Sequence, residues 1–302
     1  MISIVITKKA VFYLGWIIGE SGPIIQSFGK FRDSFDSFND SDTFAEYIMS
    51  EQNVAKYINS KKDIKNISFS IDSDLLVISD LKKNEGFNID DLISWQAKQI
   101  YGNDFNKIID IYTYNYSLNH YLNFYFPRRI KTIIKDFSLK YKVSIKNIGV
   151  GIFSAETGVR SWYNAKKYDN YVVWKVCTNN VHEFIYVDRN EFSCYTRIKK
   201  NKVNSKILSI VGSNKDAETL CSNFNNYLND GLRAKHLSYK KVFIYKVDGN
   251  LLKIKDYFNL RSNKFILLNP LNILFKENKK GFNKFNTLPL AESGISFRGV
   301  DV

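Results

Sequence analysis

Between Val172 and Ile198 the chain alternates apolar and polar positions in three runs, VVWKVC, VHEFIYV and EFSCYTRI, with Phe184, Tyr186, Phe192 and Tyr195 among the apolar positions. The runs break at Thr178-Asn179-Asn180 and at Asp188-Arg189-Asn190. Alternation with period two predicts strands, and Asn- and Asp-rich breaks predict tight turns, so the stretch reads as a three-strand meander. A similar layout opens the chain. Strands are predicted near Ile2–Ile6, Val11–Ile18 and Ile24–Phe31, with Gly15, Gly19, Gly22 and Pro23 marking bends.

Between the meanders the period switches back and forth. A helix is predicted from about Ser41 to Ile58, capped by Ser41 or Asp42, with Phe44, Ile48, Tyr57 and Ile58 on one face. Strands follow near Asn66–Ile71 and Leu75–Ser79. Asn88 caps the helix NIDDLISWQAKQIYG, Asp90 and Asp91 suit its positive end, and Gly102 stops it. Ile108–Leu118 alternates as a strand and pairs with HYLNFYF, which Pro127 ends. RRIKTIIKDFSLKYK is amphipathic at helical spacing through Ile130, Ile133, Ile134 and Phe137. A strand IKNIGVGIF and a short helix from Ser154, read as its cap, to about Tyr163 complete the first half.

After the second meander come a strand KILSIVG, a helix near Lys215–Leu228, strands KKVFIYKV and KFILLN, and a helix start at Asn269-Pro270. Two halves that each open with a meander and continue in α/β units predict a duplicated α/β fold. Its lobes are placed at residues 1–167, with an inserted subdomain at about 76–147, and at 168–302. The junction falls near Ala165–Asn170.

Composition adds constraints to this outline. The 302 residues suffice for one large core or two ordinary ones. Lys and Arg number 44 against 30 Asp and Glu, a net charge of +14. The excess is dispersed in short clusters such as Lys61-Lys62 and Arg197-Lys199-Lys200, without a basic helix stripe, and Lys lacks the planar fork that reads bases. That distribution reads as solvated surface, argues against nucleic acid, and leaves an anionic membrane face open. The 19 Tyr and 23 Phe accompany abundant Asn, Lys and Ile, the signature of AT-rich codons rather than a stacking surface. Three cysteines (Cys177, Cys194, Cys221) form no CxxC pair, and three scattered histidines (His120, His182, His236) predict no metal site. At the start, Lys8 and Lys9 interrupt the apolar run, so the segment reads as two strands of a cytoplasmic protein rather than a targeting sequence.

Two such halves facing a cleft are the plan of the actin-like ATPase (ribonuclease H-like) fold. Within it, LISWQAKQIYGNDFNKIIDIYTYN (Leu92 to Asn115) resembles the segment of PilM-type pilus assembly proteins in which a helix leads through a short loop to a strand of the type V-x-L-D-Y. FYFPRRIKTIIKDFSLKYKVSIKNIGVGIFSAETGVRSWY is similar to the next segment of that family, and LAESGISFRGVDV is similar to its terminal A-x-G-L-A-L-R-G. The resemblance implies a bilobed fold and a cytoplasmic protein peripheral to the inner membrane. Its implied role is that of an adaptor in a type IV pilus or related secretion machine, docking the cytoplasmic tail of a PilN-like membrane partner. Trp95, Tyr112 and Tyr114 are the residues it suggests for the peptide groove.

Departures from the family pattern carry equal weight. In actin-like ATPases both meander turns carry Asp and Gly. Glycine lets backbone N–H groups close on phosphate, and the aspartate handles Mg²⁺ through water. Here the turns read VITKKAV and KVCTNNV, without Asp or Gly, and of the adenosine-side glycine run only Gly212 remains, in IVGSNKDAE. KKNKVNS, Lys199 to Ser205, stands where relatives hold a helical second-lobe subdomain, which is therefore expected to be missing. These departures predict a degenerate member that has lost ATP hydrolysis, with no catalytic residues, cofactor or metal. Two alternatives stay open. One is an active ATPase in which Thr7, Lys8, Thr178, Asn179, Gly212 and Ser213 hold ATP and Mg²⁺; the other is a basic nucleic-acid-binding module. Self-association into rings or filaments is also left open. Asp72 with Asp74 and Asp90 with Asp91 read as turn and cap residues rather than acid–base pairs.

Overall fold

A computed structural model of the chain describes residues 1–8, 10–20, 22–33, 35, 38–61, 64–201, 205–230, 239–247, 265–276 and 290–299. The first half runs β1 (Ile2–Ile6), β2 (Val11–Gly19), β3 (Gly22–Lys30), α1 (Ser41–Met49), α2 (Gln52–Ile58) and β4 (Asn66–Ile71). It continues with β5 (Val77–Lys82), α3 (Ile89–Tyr101), α4 (Phe105–Ile108), β6 (Ile109–Ser117), β7 (His120–Pro127), α5 (Arg128–Tyr141), β8 (Ser144–Val150) and α6 (Gly151–Tyr163). The second half runs β9 (Asn170–Val176), β10 (Val181–Asp188), β11 (Glu191–Lys200), β12 (Ser205–Gly212), α7 (Asn214–Asp230), β13 (Lys241–Lys246), β14 (Phe265–Leu267) and β15 (Phe275–Lys276). A 3-10 turn, Ala291–Phe297, forms the tail.

The duplication is visible in the sheets. In the first lobe the strands lie in the order β15-β3-β2-β1-β4-β8, and in the second β12-β11-β10-β9-β13-β14. Each contains an antiparallel meander followed by two parallel strands, β3-β2-β1-β4-β8 matching β11-β10-β9-β13-β14. A separate three-stranded sheet, β5-β7-β6, is covered on one face by α3. β11 and β12 are joined directly as antiparallel neighbours, Lys200 opposite Ser205, so no helical subdomain stands between them.

Three apolar clusters hold these layers. One face of the first sheet packs on α1, α2 and α5 through Phe44, Phe69 and Phe137. The outer face of the second sheet packs on α7 through Trp174, Phe184 and Phe224. Between the sheets a shared core runs through α6, with Trp16, Trp162 and Tyr171 in it. The tail returns to the first lobe. Phe297 stacks on Trp16 at 4.2 Å and Trp16 Nε1 donates to Ser296 Oγ at 3.0 Å. Trp16, Trp162 and Trp174 are thus packing residues, and Trp95 alone of the four is exposed.

Several local expectations are corrected. The helix expected at 41–58 is two helices, because Ser50 turns back to Tyr47 and Glu51 caps α2. The cap of α1 is Asp40, whose carboxylate accepts from Thr43 N at 2.7 Å, while Asp42 lies in the first turn. The strand expected at 75–79 begins at Val77, behind a short 3-10 turn, Ser73–Leu75. β8 stops at Val150, and α6 begins at Gly151, so Ser154 sits inside the helix, where its hydroxyl accepts from Ser70 Oγ. Among the described residues no helix is long and apolar enough to cross a membrane.

Candidate functional site

Open α/β sheets bind ligands beyond the carboxyl ends of their parallel strands. Here the ends of β1 and β4 meet those of β9 and β13 across the lobes, and the space between them is filled by charge. Lys175, near the end of β9, pairs across the meander with Glu183 of β10, so both project from the same side of the sheet. Lys175 is only 1% exposed. Its Nζ lies 2.8 Å from Glu292 Oε1 of the tail, 3.6 Å from Asp72 Oδ1 after β4, and 4.0 Å from Glu183 Oε2. The Glu292 approach satisfies ion-pair distance without hydrogen-bond alignment, so it acts as a Coulombic contact.

Neighbours hold these carboxylates in place. Ser73 Oγ donates to Glu183 Oε1 at 2.7 Å, and Tyr245 Oη donates to Glu292 Oε1 at 2.9 Å. Asp72 accepts from the backbone N–H of Lys8 at 3.2 Å and of Asp74 at 3.1 Å. Arg197 of β11 reaches Glu183 at 3.4 Å and also pairs with Asp74, a second ionic tie between the lobes. Gly151 leaves room for the lysine: a β-carbon there would lie 3.2 Å from Lys175 Nζ, on a backbone with φ of +25°.

Electrostatics match this geometry. Burial disfavours the Lys175 ammonium, but Asp72, Glu292 and Glu183 outweigh it and raise its pKa well above the ordinary lysine value. Burial would raise Asp72, yet the Lys175 charge and the two N–H donors hold it below the usual carboxylate range. For Glu183 burial prevails over Lys175 and Arg197, and its pKa is raised.

The meander turns flank this centre. Thr7 Oγ1 donates to Ala10 O at 2.7 Å and accepts from Ala10 N at 3.1 Å, closing the first turn on itself. In the second turn Asn179 and Asn180 take φ of 58° and 57°, and Val181 N donates to Thr178 O. Gly212 and Ser213 lie elsewhere. Gly212 pairs with Cys194 near the far turn of the meander, whereas Lys199 is the residue opposite Val181, at the end of the Thr178–Asn180 turn. They line a separate cavity of about 320 Å³ with Tyr116, His120 and Glu191. The reason is topological: β12 is an antiparallel edge strand, and the parallel neighbour of β9 is β13, which leads into residues 248–250, outside the described residues. The six residues named for a nucleotide are therefore not brought together.

This donor set does not fit a magnesium triphosphate. An ammonium fills the space among three carboxylates, which would repel phosphate. Lys175, Glu183 and Glu292 went unnoticed in the sequence. The signal was a single charge inside each of the runs VVWKV and VHEFIYV, which counting back from the Asn179 turn brings opposite each other.

The open site lies elsewhere. A groove of about 1610 Å³ runs between the three-stranded sheet, α5, β8, α6 and the β10–β11 turn. Tyr112 and Tyr114 line it from β6, 47% and 58% exposed. Phe124 meets Phe153 edge-on at 5.1 Å in its floor. Trp95 is not among the lining residues. It projects from α3, which covers the opposite face of the sheet through Ala97, Ile109, Ile111 and Tyr125.

No protein-family model and no curated protein matches this sequence. Among solved structures, a chain of the PilM–PilN type IV pilus biogenesis complex matches 100% of this chain and 98% of its own length, with a TM-score of 0.63 at 10% identity. The cytoplasmic domain of EpsL, an inner-membrane component of the type II secretion system of Vibrio cholerae, matches 81% of each chain with a TM-score of 0.42 at 7% identity. The Ppx/GppA phosphatase of Aquifex aeolicus matches 99% of this chain and 89% of its own, with a TM-score of 0.37 at 8% identity. With two matching meander sheets and the first of these matches over its full length, the chain has the two-lobed actin-like fold in the form seen in the PilM–PilN structure.

Proposed function

We propose that this chain is a docking adaptor. It works on the cytoplasmic side of an inner membrane, holds the tail of a PilN-like membrane partner in the groove beside Tyr112 and Tyr114, and serves a type IV pilus or related secretion machine without hydrolysing ATP. The observation that carries this reading is the contrast between the two ends of the molecule. The end where an actin-like ATPase would cradle phosphate holds a buried ion cluster, and the groove under the inserted sheet is open and lined by exposed tyrosines. The fold shared with a chain of a complex that contains PilN supports the choice of partner. Apolar grooves with a few aromatic anchors suit short peptide segments.

Two measurements test it. Calorimetry with Mg-ATP is expected to give no heat of binding. Micromolar binding abolished by Lys8→Ala or Thr178→Ala would favour a working ATPase with substituted turns. A pull-down with the cytoplasmic tail of a short membrane protein encoded beside this chain is expected to capture it, and failure with every such tail would reject the adaptor reading.

A further inference from the structure

Two strand edges border the groove. Tyr112 to Tyr116 of β6 and Ser144 to Val150 of β8 line it continuously, and each strand is outermost in its sheet. Among the described residues β4 is the strand that pairs with β8, so alternate main-chain N–H and C=O groups of β8 point away from that partner. An open edge takes up an extended chain through main-chain hydrogen bonds, whatever its side chains. Preference among extended chains must then come from the groups around the edge.

Those groups are positive and unspent. Lys146 stands on β8 itself, Lys135 on α5, and Arg298 directly after the tail turn; all three line the groove and are exposed, and none makes an ion pair among the described residues. The other cations of the lining are engaged, Lys131 with Asp110 and Arg160 with Glu156. Glu156 is further occupied by the Tyr171 hydroxyl, which leaves Glu191, on the second-lobe wall, as the remaining carboxylate of the lining.

We propose that the groove accepts an extended acidic peptide segment, which adds as a strand to β8 with carboxylates at alternate positions facing Lys135, Lys146 and Arg298. The proposal rests on the docking reading above and specifies the chemistry of the segment that docks. A single-stranded nucleic acid shares the negative charge, but its backbone cannot continue the N–H and C=O ladder of β8, so peptide is the occupant the geometry favours.

The test uses the full chain and three fluorescein-labelled probes read by anisotropy: a dodecapeptide alternating leucine and aspartate, its lysine counterpart, and a dodecathymidylate. The aspartate peptide is expected to bind about tenfold more tightly than either other probe at low salt, an advantage that shrinks as salt rises. Lys135→Glu/Lys146→Glu, at exposed positions that leave the fold intact by circular dichroism, is expected to reverse the order of the two peptides. Equal or tighter binding of the lysine peptide or the oligonucleotide overturns the proposal. So does binding of none of the three, or a preference that the double variant leaves unchanged. Capture of the membrane partner's tail is measured separately, so a tail that still binds in any of those cases removes the acidic preference and spares the docking reading.

Discussion

Lys175 Nζ lies 2.8 Å from Glu292 Oε1, so a strand of the second lobe is tied to a tail segment that packs against β1, β4, β8 and α6 of the first. The contact joins both lobes and the chain's last described turn in one buried electrostatic unit. Removing the cation at its centre would leave Asp72, Glu183 and Glu292 facing one another. Lys175→Met is therefore expected to cost about 3–5 kcal/mol, the loss typical of breaking a buried pair from one side. Urea unfolding measures it. Lys175→Met/Glu292→Gln should be less destabilised than the sum of the two single variants, because each removes the partner the other leaves stranded.

The tail depends on close backbone approach. A β-carbon on Gly294 would lie 2.4 Å from Ser154 O and 2.5 Å from Gly158 N, both backbone atoms of α6. Gly294→Ala must push the tail off that helix, and is expected to destabilise by about 1–3 kcal/mol. Hydrogen exchange should localise the change to residues 290–299 and the facing turn of α6. Unchanged protection there would show that the approach is not a constraint.

His182 gives the chain a pH dependence of known sign. Burial first, and the nearby Lys200 charge second, hold its pKa down to about 4, and Trp174 Nε1 donates to Nδ1, which requires an uncharged acceptor nitrogen. In the unfolded chain the ring takes up its proton near its ordinary value of about 6.5. Between these values the unfolded state binds more protons. The contribution of His182 is thus complete above about pH 6.5 and is lost as pH falls toward 4, by about 3 kcal/mol in all. Chemical denaturation across that range should show a slope that flattens in His182→Gln.

How far the sequence anticipates this molecule follows from the range of the forces involved. β1 and β4 were legible to the residue, and the cap at Asn88 was too, because alternation and capping are set by neighbours within a few positions. The break between α1 and α2 was not, since Phe44 and Ile58 keep one apolar face across it and periodicity carries no mark of the interruption. The misplacement of Gly212 has another origin. Its strand was recognised, but whether that strand runs parallel or antiparallel to its neighbour depends on the sheet as a whole. The ion cluster joins Asp72, Lys175, Glu183 and Glu292 from four separate segments, and local pattern ties only the middle two.

The tyrosines of β6 and the tryptophan of α3, similar as exposed aromatics in the sequence, separate by face. Tyr112 meets Phe126 edge-on at 6.4 Å and lies under Lys131 at 5.5 Å, and Tyr114 is more exposed still, so truncating either removes little packing. Tyr112→Ala/Tyr114→Ala is expected to change stability by less than about 1 kcal/mol. Both rings face the groove, and aromatic anchors commonly contribute about 2 kcal/mol or more at an interface, so the affinity for a partner's tail should fall by tenfold or more. Trp95→Ala, on the far side of the sheet, should leave that affinity unchanged. Titrating one labelled tail against the three proteins decides the matter: a loss confined to Trp95→Ala would move the docking surface to α3, and equal binding by all three would take it off this sheet altogether.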